Sequence, residues 1–85
     1  MDISRAEQRV LHTLAKGGWI DLERDDDRNI IARHLRTREG WGAPGLTDRV
    51  FRKLKRLRAI RSRNGGPYRV TRAGLMLVRA EFDNR

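Results

Sequence analysis

The sequence predicts a small α+β fold, and three observations predict it. Apolar residues recur at helical spacing in three segments, each opening on a capping residue: Ser4, Thr47 and Thr71. Between these segments lie two pairs of short β-prone runs, broken by turn formers at Asp25 to Asn29 and at Asn64-Gly65-Gly66. The 85 residues leave room for one modest core, so a single domain over 1–85 is expected.

Ser4 and Glu7 have the spacing of a capping box, in which hydroxyl and carboxylate each satisfy a free backbone N–H, and they start a helix at about 4–16. Its apolar face is Ala6, Val10, Leu11 and Leu14, and Lys16-Gly17-Gly18 supplies a basic last turn and a residue free to take positive φ. Trp19 to Arg24 and Ile30 to Arg36 alternate or enrich branched residues as a hairpin does, with Trp19 expected in the core. Gly40, Gly42, Pro44 and Gly45 make a loop, or at most one helical turn. Thr47 caps a second helix running to 58, with Val50, Phe51, Leu54 and Leu57 as its buried stripe. Ile60 to Arg63 and Pro67 to Val70 form a second hairpin around the Asn-Gly turn, where Tyr68 is expected to pack against a helix. Thr71 caps a last helix with Leu75, Val78 and Phe82 on one side.

Helix, hairpin, basic helix, hairpin and closing helix is the order of a winged-helix-like domain, with the 47–58 helix in the recognition position and Ile60–Val70 as the wing. The glycine-rich stretch before Thr47 argues against the additional full helix of a complete helix-turn-helix.

Charge is sorted along the chain. Residues 1–48 carry eight basic and nine acidic side chains, whereas 49–85 carry twelve basic and two acidic ones, and no acid falls between Arg49 and Ala80. A basic field without internal neutralisation repels itself, so it usually faces a polyanion or an acidic protein surface. The candidate binding array is Arg49, Arg52, Lys53, Arg56, Arg58, Arg61, Arg63 and Arg69. Lys and Arg at helical spacing can follow phosphates, and Arg offers a planar fork to carboxylates, so DNA and an acidic protein both fit. The bland alternative is a solvated face whose long stems shield the core. Trp41 lies in the glycine-rich loop without an apolar stripe to join, which makes it a candidate interface anchor, with packing over the domain edge the other reading.

Other chemistry finds no centre. The chain has no Cys, His12 and His34 lack metal-site spacing, and Asp25-Asp26-Asp27 lacks the alternating ligands and distal Glu of a calcium loop. Gly65-Gly66 is not followed by the Lys-Ser/Thr of a phosphate loop, and no Ser, His and acid form a recognisable triad. Neither a metal, a cofactor, a small-molecule substrate nor catalysis is expected. Nothing approaches the roughly 18 apolar residues of a membrane span, and no secretion signal opens the chain, so no membrane partner and a cytoplasmic location are expected.

Ser4-Arg5-Ala6-Glu7-Gln8-Arg9, Leu11-His12, Leu14-Ala15, Gly17-Gly18, Arg38-Glu39-Gly40 and Phe51-Arg52-Lys53-Leu54-Lys55 resemble the YjhX family. The similarity continues through Ile60, Asn64-Gly65, Pro67-Tyr68-Arg69, Gly74-Leu75, Val78-Arg79-Ala80 and Asp83-Asn84-Arg85. Leu35 and Leu46 stand where the family pattern has Cys, which preserves an apolar role, and Arg36 stands where it has an aromatic residue. The resemblance implies the toxin of a bacterial toxin–antitoxin pair that binds DNA topoisomerase I and hinders its hold on DNA, with a cognate antitoxin as second partner. The residues themselves leave open a winged-helix DNA-binding regulator that uses helix 47–58 in a major groove and Arg63 and Arg69 on phosphates.

Overall fold

The computed structural model describes residues 3–83, with side chains from Ile3 to Arg79. Seven elements follow in order: α1 (Arg5–Ala15), β1 (Trp19–Arg24), β2 (Ile30–Arg36), α2 (Asp48–Arg56), β3 (Ile60–Ser62), β4 (Tyr68–Val70) and α3 (Arg72–Asp83). The α+β expectation holds element by element. The two hairpins join through Ile20 opposite Tyr68, giving one antiparallel four-stranded sheet of order β2-β1-β4-β3.

The start of α1 is fixed by the capping box. The Glu7 amide donates to Ser4 Oγ at 3.3 Å, while the Ser4 amide and hydroxyl donate to the Glu7 carboxylate at 2.8 and 2.6 Å. Lys53 Nζ approaches the same carboxylate at 3.6 Å, so α2 is tied to the first turn of α1. The Ser4 hydrogen bonds foremost, and the Lys53 charge with them, hold the Glu7 carboxyl below the usual carboxylate range against the opposing effect of burial. A depressed folded-state pKa adds stability above the ordinary carboxylate value, and that stability is lost as pH falls through the folded value. Glu7→Gln is therefore expected to cost about 1 kcal/mol at neutral pH and to converge on the parent in acid. Denaturant midpoints of the two proteins across pH check this, and a difference that persists in acid would contradict it.

Alternation along the strands sends Ile20, Leu35 and Ile60 to the helical side, where they join Val10, Leu11, Leu14, Val50, Phe51 and Leu54 in one buried cluster. Tyr68 meets Phe51 edge-on, with ring centroids 4.9 Å apart, and so packs the second hairpin against α2, the helix contact expected of it. Leu35 is buried and Leu46 packs against the cluster, consistent with the apolar role read for both.

Three expected core positions lie elsewhere. Trp19 is only half-buried, because the next residue on its strand, Ile20, takes the inward position and a one-residue step reverses the face. Ala6 is exposed, and Ile3, just before the cap, reaches the core in its stead. Leu75 is 45% exposed, because α3 docks through Gly74 with Leu77 and Val78 beside it. The expectation for Phe82 lies outside the described side chains.

Candidate nucleic-acid and protein interface

Arg49, Arg52 and Arg56 recur on α2 at the three- and four-residue steps that keep side chains on one helix face, and all are exposed. Together with Lys53 they line a groove whose other wall is the start of α1, at Ser4 and Ala6. No ion pair engages these three arginines among the described residues. Lys53 differs: its pairing with Glu7 removes it from the free array.

Arg58 is not on the helix. The last turn closes at Leu57, the Arg58 amide donates to the Lys55 carbonyl and the Ala59 amide to the Leu54 carbonyl, each near 3 Å. This is a Schellman ending, which puts Arg58 at the position that favours glycine, with φ of 57°. The Arg58 carbonyl accepts the Thr71 hydroxyl, so the backbone is held there while the side chain stays exposed. A non-glycine residue in this conformation costs roughly 1 kcal/mol. Arg58→Gly is expected to raise stability by about that amount, read as a melting temperature higher by several degrees. An unchanged or lower value would show that the arginine contributes contacts that offset the strain.

Arg61, Arg63 and Arg69 form a second cationic surface on the β3–β4 hairpin, joined by Arg72 from the start of α3 in a groove also lined by Val70 and Pro67. Arg61 and Arg69 are directly opposed on β3 and β4, a like-charge arrangement that destabilises the ladder. Asn64 and Gly65 take φ of 54° and 74°, the pair of positive angles of a tight hairpin turn. Arg24 reaches across from β1 to the Gly65 carbonyl at 3.4 Å and ties this turn to the sheet. Trp41 is 73% exposed in a loop that folds back on β2, with its amide on Thr37 Oγ1 and its carbonyl accepting from the Thr37 amide. The loop adds no helix before Thr47.

Arg72, Arg33 and Arg36 escaped the sequence array. Arg72 follows its capping Thr and carries no periodic signal, whereas Arg33 lies over the Phe51 ring at 4.3 Å and pairs with Asp48 at 3.4 Å. Arg36 pairs with Asp21 at 3.2 Å. Among the described residues no three His, Asp or Glu side chains gather as metal ligands, and no helix is long and apolar enough to cross a membrane.

The family model described as "Putative toxin of bacterial toxin-antitoxin pair" matches residues 1–85. The chain belongs to the YjhX toxin family. Relatives named UPF0386 protein are similar end to end: one from Chelativorans sp. (strain BNC1) is 60% identical and one from Rhizobium johnstonii 58% identical, each over all of both chains. A third, from Agrobacterium fabrum, is 61% identical over the same full span. No solved structure matches. Family membership implies an antitoxin as partner.

Proposed function

We propose that this chain is a non-enzymatic toxin that docks on DNA topoisomerase I through α2 and the wing, hinders the enzyme's engagement with DNA, and is silenced by its antitoxin. The observation that supports this best is the row of Arg49, Arg52 and Arg56, exposed on one face of α2 with no acidic partner among the described residues. Such a face gains little from solvent alone and much from carboxylates or phosphates held at matching spacing. Like charges repel, so such a face seeks carboxylates or phosphates. The face therefore meets acidic side chains of the enzyme, or the DNA strands entering it.

A second reading, a winged-helix regulator, draws on the same α2 face together with the element order. Titrating the purified protein against topoisomerase I, and separately against duplex DNA at several salt concentrations, separates the two. A stoichiometric complex with loss of relaxation activity is the expected result. Tight sequence-dependent duplex binding with no enzyme complex would replace the inhibitor reading with the regulator.

A further inference from the structure

The face of the sheet opposite the helices carries an arrangement that neither α2 nor the family description addresses. Arg61 is paired with Arg69 across β3 and β4, and Trp19 is paired with Arg36 across β1 and β2. The Arg69 guanidinium lies 5.4 Å from the Trp19 ring centre, which closes the gap between the two hairpins. The order Arg61, Arg69, Trp19, Arg36 is thus one transverse row across all four strands, at a strand spacing of roughly 4.8 Å. None of these four side chains is buried, since each alternates with a core neighbour such as Ile20, Leu35 or Ile60.

The tryptophan ring is held in place. Its indole N–H donates to Asp21 Oδ1 at 2.8 Å, and the other oxygen of Asp21 accepts from Arg36 Nε at 3.2 Å. One carboxylate thereby orients both the ring and the outer arginine, and a ring whose rotation is already lost binds a flat partner at lower entropic cost. At the other end, Arg61 and Arg69 repel each other, with no acid paired to either among the described residues. An anion between them relieves that repulsion.

We propose that this row is a binding platform for a single nucleic-acid strand, with Trp19 stacking on a base and Arg61 and Arg69 holding the adjacent phosphodiesters. A stacking aromatic flanked by arginines on an open sheet face suits unpaired bases, whose faces are free, and offers a duplex only its phosphates. When a base occupies the Trp19 face that Arg69 now overlies, Arg69 turns to the phosphate beside Arg61. The platform shares no residue with the α2 groove, but Arg61 and Arg69 belong to the β3–β4 hairpin, so one molecule holds a strand and a protein partner together only where the partner is seated on the α2 groove.

The test needs no topoisomerase, so its failure is distinct from failure of the docking proposal. With Trp41→Phe leaving Trp19 as the sole indole, titration with an unstructured single-stranded oligonucleotide is expected to quench the fluorescence in a saturable way. Duplex of the same length is expected to bind at least roughly tenfold more weakly and to leave the indole signal unchanged. Arg61→Gln with Arg69→Gln should weaken strand binding roughly tenfold or more and lower the salt slope by about 1.4, the share of two phosphate contacts. Arg61→Gln alone, which relieves the like-charge pair, should weaken binding while keeping the melting temperature equal or higher. Absence of quenching at saturation, equal affinity for duplex, or strand affinity unmoved by the arginine variants would overturn the platform.

Discussion

Replacing Arg52, Arg56 and Arg63 together by Glu is expected to abolish the complex with topoisomerase I, weakening it by more than about a hundredfold, while the melting temperature changes little. The binding effect is large because reversal does more than delete contacts. Each site becomes a like charge against the partner, and juxtaposed like charges cost several kcal/mol in an interface. The stability effect is small because all three side chains are exposed and none is ion-paired among the described residues. Surface substitutions of that kind stay within about 0.5 kcal/mol each, and here they dilute a field of one sign. Relaxation assays and a pull-down with the triple variant check the first part, and a thermal melt checks the second. Inhibition retained within about threefold would remove this face from the docking surface; an unfolded variant would make the arginines structural.

The same comparison separates Lys53 from its neighbours. Sequence periodicity placed it among the free cations because helical spacing reports which side of α2 it occupies and not which element lies opposite. The packing of α1 against α2 brings Glu7 to it, an encounter between residues 46 positions apart that no local pattern encodes. Lys53→Glu consequently differs in kind from Arg52→Glu: it opposes a shielded carboxylate within the fold itself.

What was legible in the chain divides along the same line. Caps, turns and helix stripes are local: Ser4 with Glu7, Thr47 and Asn64-Gly65 act within a few residues, and each is found doing what its spacing dictates. Charge segregation is likewise a property of the sequence alone, and the exposure of Arg49, Arg52 and Arg56 follows from it together with the α2 stripe. The row of Arg61, Arg69, Trp19 and Arg36 depends instead on two hairpins joining in one register. Its members come from four strands spread over residues 19–70, so only pairing can assemble it. The misplacement of Trp19 has the same origin. A large aromatic at a strand start is usually core, but the pleat permits one residue of a neighbouring pair to face inward, and the cluster takes Ile20. Arg58 shows a third kind of limit: its left-handed backbone stands where helix-ending chemistry favours glycine, so residue identity pointed to a longer helix.

Gly74→Ala is expected to destabilise the fold by about 1–3 kcal/mol, although helix propensity alone favours alanine over glycine by about 1 kcal/mol. Gly74 is buried in α3, and a Cβ there would lie 2.4 Å from the Ala59 carbonyl oxygen and 2.7 Å from Val70 Cγ2. The carbonyl cannot retreat, because it already accepts the Thr71 amide at 2.9 Å in the contact that starts α3, where Thr71 Oγ1 in turn accepts the Gly74 amide at 3.1 Å. An added methyl must therefore lift the helix from the junction of α2 and β3 and loosen Leu77 and Val78 with it. The loss corresponds to a melting temperature lower by roughly 5–20 °C for a domain of this size. Leu75→Ala, one residue on and half open to solvent, is the matched control and should cost far less. A neutral or stabilising Gly74→Ala would mean that α3 does not approach the Ala59 backbone this closely.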